Sequence, residues 1–308
     1  MAVTGSGGEN RLQFLRLLRL ALALLACPAV AAAADSIATV TLLEGSAGLV
    51  RGVTRYALAE GVRLQHGDIV EIGDKGLAEI EFGGGAALAL GAGTRILAVA
   101  LARGGSAGGD FYALHGSLKL SGMKAGAHFR LATPILTLQP VQGTAVLVVS
   151  GGEGSVFIEN GDARLSVPPP PVRLKGGDFY TRKGGQKGAV APRPSQAFIA
   201  ALPRLFLDPL PSRLARFKER QVQPRQIGEA SYAEVEAWLK APPEVRRPMV
   251  SRFRSRASDP AFRSALVSNL RFHPEWDPVL YPEKYEPKGA AAGAAGASKG
   301  RPEPARKP

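Results

Sequence analysis

The stretch Gly61-Val62-Arg63-Leu64-Gln65-His66-Gly67-Asp68-Ile69-Val70-Glu71-Ile72-Gly73, continued by Leu77-Ala78-Glu79-Ile80-Glu81-Phe82 and Ala87-Leu88-Ala89-Leu90, decides the fold class. Ile69 and Glu71 fall on one side of an extended chain, Val70 and Ile72 on the other; Leu77, Glu79 and Glu81 likewise oppose Ala78, Ile80 and Phe82. Alternation with a period of two in short runs reads as half-buried β-strands. His66-Gly67-Asp68, Gly73-Asp74-Lys75-Gly76 and Gly83-Gly84-Gly85 interrupt the runs with residues suited to tight turns. The spacing predicts that the strands are joined as hairpins, not by helical crossovers.

The same pattern extends over residues 37 to about 182, with further strands expected at 39–43, 47–51, 97–101, 111–114, 117–120, 129–133, 144–149 and 155–158. No helix of ordinary length fits between them, so a β-sandwich, barrel or solenoid is favoured over a parallel α/β sheet. Thirty-seven glycines against 12 Phe, 6 Tyr and 2 Trp suit such a many-turned β architecture.

Four motifs in order carry a family resemblance: Gly67-Asp68-Ile69-Val70-Glu71-Ile72-Gly73; Phe82-Gly83-Gly84-Gly85 with Ala87-Leu88-Ala89-Leu90; Phe129-Arg130-Leu131-Ala132-Thr133-Pro134; and Val141-Gln142-Gly143-Thr144-Ala145-Val146. Together they resemble the FecR domain of bacterial envelope proteins. The resemblance implies an extracytoplasmic all-β domain, a twisted solenoid-like stack or sandwich, that works by contacting other proteins. It assigns framework roles to the motif residues: Gly67 and Asp68 in a tight turn before the strand that Gly73 ends, Gly143 and Thr144 where a strand approaches its neighbour's backbone. The best-known members add a cytoplasmic sigma-binding domain before a membrane span. Only ten residues precede Arg11 here, so no such domain is expected.

Arg11, Arg16 and Arg19 lead into an apolar run, and Ala29-Val30-Ala31-Ala32-Ala33-Ala34 supplies small residues for a signal peptidase, so residues 1–34 read as an export signal cleaved near Ala34. The run from Leu20 to Ala34 is short for a membrane span. The single cysteine, Cys27, faintly resembles a lipoprotein site, but Leu25 and Pro28 count against lipidation; a periplasmic protein without internal disulfides is expected.

The remaining organisation is read as a FecR-like β domain at 35–182, a Gly/Pro-rich linker at 183–194, an all-α basic domain at 195–286 and a disordered tail at 287–308. Within the helical part, Ser231 to Glu234 forms a capping box and Asp259-Pro260 an N-cap with a first-turn proline. A break or kink is expected at Pro248, and an extended strap at 272–285. Residues 210–221 read as a helix with Arg213, Arg216 and Arg220 on one face.

Net charge is +13, and from residue 193 onward 21 Lys and Arg face 12 Asp and Glu. Arg213, Arg216, Arg220, Arg252, Arg254 and Arg256 are therefore candidate docking residues for an anionic wall, membrane or protein partner; nucleic acid is not expected. The four histidines have no metal-ligand spacing and read as turn or surface residues, no nucleophile elbow or phosphate cradle is present, and no cofactor or small-molecule substrate is implied. The sequence thus points to a non-enzymatic binding or adaptor module of the bacterial envelope. A component of a FecR-type signalling pathway and a wall-active enzyme are the alternatives.

Overall fold

The computed structural model describes residues 38–101, 108–124, 127–167 and 170–285; the leader at 1–34 and the tail at 287–308 lie outside them. The β part runs β1 (Thr39–Glu44), β2 (Ala47–Arg51), β3 (Thr54–Ala57), β4 (Ile69–Ile72), β5 (Leu77–Glu81), β6 (Ala87–Leu90), β7 (Arg95–Leu101), β8 (Gly108–Met123), β9 (His128–Ala132), β10 (Thr137–Ser150), β11 (Glu153–Ser166), β12 (Val172–Lys175), β13 (Phe179–Lys183) and β14 (Ala189–Ala191). The chain is mainly β with helices at its C-terminal end, as its periodicity predicts.

Connectivity is less simple than a chain of hairpins. The turn after β4 does not pair the strands it joins: β4 lies between β2 and β7, while β5 lies between β1 and β6. Two groups of strands form in alternation, and the long β8 connects them. Its first half pairs with β7 and, in parallel, with β9; its second half pairs with β6 and β10. Between the halves Gly116 takes a φ of 113°, and a Cβ there would overlap Thr94. The hydroxyl of Thr94 donates to the Ser117 carbonyl at 3.1 Å and accepts from the Ser117 N–H at 3.2 Å, securing the bend from inside.

The β10–β11 ribbon bends in the same manner. Gly143 (φ 93°) stands opposite Gly161 (φ 83°) between two irregularities of register. A Cβ on Gly143 would run into the Asn160 carbonyl, so only glycine fits. The neighbouring Thr144 stands opposite Asn160 in this ribbon. Folding the sheet over encloses one core, to which Leu49, Val70, Ile80, Leu88, Ile96, Phe111, Leu120 and Leu147 contribute. Phe82 packs edge-on to Phe129, with ring centres 4.9 Å apart. Each such side chain stabilises the fold by roughly 1.5–3 kcal/mol on full burial.

The alternate residues of the same strands face outward, and the C-terminal segment covers part of both outer surfaces. Helices α1 (Gln196–Ala200) and α2 (Arg204–Leu207) bring Phe198, Leu205 and Phe206 against Leu42, Ala89 and Val146. The chain then passes an edge and adds β15 (Arg225–Glu229) antiparallel to β3. Beyond it α3 (Tyr232–Leu239), α4 (Pro243–Phe253), α5 (Pro260–Ser268) and α6 (Asp277–Leu280) pack Trp238, Phe253, Phe262 and Trp276 with Val50, Ile69, Tyr112 and Ala132 of the opposite outer face.

Several expectations are corrected here. The segment expected as linker contains β14, which pairs with β13. The helices share their core with the sheet, and both belong to one compact unit. Residues 210–221 form a 3₁₀ turn at Leu214–Phe217, not a helix. Pro209 and Pro211 precede this turn; Glu81 of the sheet holds Ser212 and the Arg213 N–H before it, and Val222 bridges to Val62 after it. Both predicted caps form: Glu234 accepts from the Ser231 N–H at 2.8 Å, and Asp259 from the Phe262 N–H at 2.8 Å. Helix α4 is continuous through Pro248. The strap at 272–285 is a series of short helical turns, because Pro274, Pro278 and Pro282 each occupy the first turn of one.

Gly143→Ala tests the bent ribbon: its stability in denaturant should fall by about 2–3 kcal/mol through strain at positive φ and the backbone overlap. Exposed Gly151 has open space around it but a positive φ of 56°, so Gly151→Ala should cost less, about 1 kcal/mol.

Candidate functional site

The turn at His66-Gly67-Asp68 joins the β body to the helical cap. Gly67 takes a φ of 82°, and the Asp68 N–H donates to the Gln65 carbonyl. The Asp68 side chain is fully buried. Its carboxylate accepts from Arg51 Nε at 2.9 Å, a second Arg51 nitrogen at 2.6 Å and the Gln65 N–H at 2.8 Å. Arg252 of α4 donates to three carbonyls here, Gly52 at 2.8 Å, Gly67 at 2.6 Å and Val50 at 2.9 Å. Burial lowers the pKa of its guanidinium, and the nearby Asp68 carboxylate opposes that shift. Gly73 closes the adjoining corner, where a Cβ would overlap the Ser46 hydroxyl.

The candidate docking arginines do not form one surface. Arg252 is a fastener inside the molecule. Arg256, in the 3₁₀ turn that follows α4, is ion-paired with Glu229 and donates to the Ala230 carbonyl at 3.2 Å, which ties that turn to the end of β15. Arg254 is exposed. Without a helix at 210–221, Arg213, Arg216 and Arg220 share no helix face. Arg213 is half-buried, and its backbone N–H donates to Glu81 at 2.7 Å.

That contact belongs to a buried polar cluster which the alternation alone leaves solvent-facing. Glu79, Glu81 and Lys119 lie on the outer face beneath the segment leading to Arg213, each under 10% exposed. Lys119 donates to Glu159 at 2.8 Å and to the Phe206 carbonyl; Glu81 also accepts from the Ser212 hydroxyl. Burial first, and the Glu81 charge second, raise the Glu79 pKa, with Arg213 opposing.

Histidines 66, 115 and 128 are exposed, whereas His273, read as a turn or surface residue, joins two short turns and is 1% exposed in the cap core. Its Nε2 lies 3.1 Å from the Tyr232 hydroxyl, and burial lowers its pKa. Among the described residues no group of three or more His, Cys, Asp or Glu could hold a metal ion, and no helix is long and apolar enough to cross a membrane.

Beside the cap, the outer face carries an open groove of about 510 Å³. Gly48, Ala57 and Ile69 line it, with Arg55, Glu71 and Glu234 providing charge and Ile227 an apolar rim. Arg55 is paired with Glu234, and Glu71 with Arg95 at 2.7 Å. Two local features are unforced by the fold. Gly48 sits inside β2, flanked by β3 and β4, with no positive φ, and a Cβ there would meet nothing within 4 Å. Ile227 is the extra residue of a β15 irregularity between Gln226 and Gly228, and is 50% exposed. A strand glycine needed by neither backbone nor packing often marks close approach of a ligand or another chain, and bulges re-aim side chains beside sites. The sequence signal was Gly48 within Ala47-Gly48-Leu49-Val50; Ile227 gave none.

Fold and site together define a β body with a C-terminal helical cap and an open lateral groove. The sequence matches no family model and no curated protein. Two crystal structures of a candidate anti-sigma factor from Parabacteroides distasonis, at 2.50 and 1.65 Å resolution, are similar to it with TM-scores of 0.38 and 0.37 at 13% and 12% identity. The similarity covers 43% of this chain and 62% and 63% of those chains.

The polar cluster yields a pH prediction. With its pKa raised, native Glu79 binds a proton more tightly than it does in the unfolded chain, so stability is greatest below about pH 4.5 as far as this group is concerned and falls as pH rises through the native value. Glu79→Gln should raise the melting temperature at neutral pH and flatten that slope in thermal scans.

Proposed function

We propose that the protein is a non-enzymatic binding module of the bacterial cell envelope, whose groove beside the cap receives an extended segment of a partner protein. The observation that carries this reading is the unforced Gly48 on the groove floor. Glycine weakens a strand interior by about 0.5–1 kcal/mol relative to alanine, and nothing within the fold recovers that here. An approaching chain would recover it, with an apolar side chain of the partner set against Ile227 and Ala57.

The envelope setting rests on the leader sequence with its basic, apolar and small-residue regions. The order of the four FecR-like motifs supports the alternative within the same class, a component of a signalling pathway acting through a separate membrane protein. Both readings use the groove in the same way and differ in the partner.

A photo-crosslinking residue at position 227, installed in cells, should capture a discrete partner. Gly48→Leu fills the groove without backbone strain, so it should cut that capture about tenfold, equivalent to about 1.4 kcal/mol, while thermal stability is kept. Capture of a membrane protein favours signalling, and capture of a wall or secretion component favours an adaptor. Undiminished capture in Gly48→Leu would reject the groove as the binding site.

A further inference from the structure

The same outer face carries a second feature, on the far side of the cap from the groove and independent of it. In β11 and β12, Arg164 stands directly opposite Arg173. On its other side Arg164 faces Gln139 of β10, and the register of β9 brings Arg130 next in the row, opposite Asp110 of β8. Arg164 and Arg173 are exposed and Arg130 is half-buried; among the described residues none of the three forms an ion pair. Two acids flank the row: Asp110 at its end, 3.4 Å from His128, and Asp162 opposite Lys175 in the next row.

Like charges directly opposite on neighbouring strands destabilise a sheet, and folded proteins keep such violations mainly where function needs them. Neighbouring strands lie about 4.8 Å apart, so the three guanidinium groups span about 15 Å across the strands. The shape of the face selects among anionic partners. Ala132, two residues from Arg130 on the same strand and face, is buried in the core shared with the cap. The cap therefore rises beside the row, and a planar bilayer would meet it before reaching Arg130. A narrow, flexible anionic chain fits along this ledge.

We propose that Arg130, Arg164 and Arg173 form a docking ledge for an acidic, extended polypeptide segment of a partner protein. Acidic side chains on one side of such a segment complement the row, and relieve the Arg164–Arg173 repulsion that the fold alone leaves in place.

The test uses the full-length chain and a fluorescein-labelled peptide of alternating Glu and Ser, which places every carboxylate on one side when extended. Anisotropy should show binding that weakens from low to physiological salt. Arg164→Glu converts the like-charge pair into an opposite-charge pair, so it should weaken peptide binding about tenfold while keeping or raising the melting temperature. Arg173→Gln should also weaken binding without lowering the melting temperature. Unchanged binding in both variants, binding lost only together with stability, or Arg164-dependent binding of phosphatidylglycerol vesicles without peptide binding would each overturn the proposal.

Discussion

A carboxylate shielded from bulk solvent needs hydrogen-bond donors from the protein, and the arrangement around the fully buried Asp68 follows from that requirement. Arg51 and the Gln65 N–H meet it, and doing so fixes the turn that presents the Gly67 carbonyl to Arg252. Arg252 reaches this point from a helix some 185 residues further along the chain. Removing one partner of a buried ion pair commonly costs about 3–5 kcal/mol. The turn therefore does more than reverse the chain: it holds the junction where β2, β4 and the cap meet.

Much of the β body was legible because burial acts on alternate residues. Val70, Ile72, Ala78, Ile80 and Phe82 all enter the enclosed core, as their period requires. Pairing was not legible, since Gly73-Asp74-Lys75-Gly76 encodes a reversal without saying which strands lie beside each other afterwards. Long-range partners also decided the errors further on. Residues 225–229 carry no strong strand signal and become β15 because β3 offers an open edge. The arginines of 210–221 have helical spacing, yet Glu81 draws Ser212 and the Arg213 N–H onto the sheet instead. Glu79 and Lys119 occupy solvent-facing positions by alternation, and the chain that covers them follows more than 80 residues later.

The candidate site divides in the same way. Gly67, Asp68, Gly73, Gly143 and Thr144 were readable as framework from their motifs, and the geometry shows how the four framework residues other than Thr144 constrain the backbone. The groove needed the fold, because Gly48 and Ile227 are 179 residues apart and neither belongs to a motif. The arginine row needed the register, since Arg130, Arg164 and Arg173 become neighbours only once β9 to β12 are aligned. Excess positive charge was visible from composition, but the C-terminal arginines that contribute to it include Arg252 and Arg256, which the fold uses internally.

Fastened at the Asp68 turn, the cap and the β body should unfold as one cooperative unit. Both tryptophans of the chain, Trp238 and Trp276, lie in the cap, so fluorescence follows the cap while the β-sheet circular dichroism follows the body. Equilibrium unfolding in denaturant, recorded by both signals on one sample, distinguishes one cooperative unit from two. A cap fastened to the body gives coincident transitions with a single midpoint. Loss of tryptophan fluorescence at a lower denaturant concentration than loss of the sheet signal would contradict it and restore two independent domains.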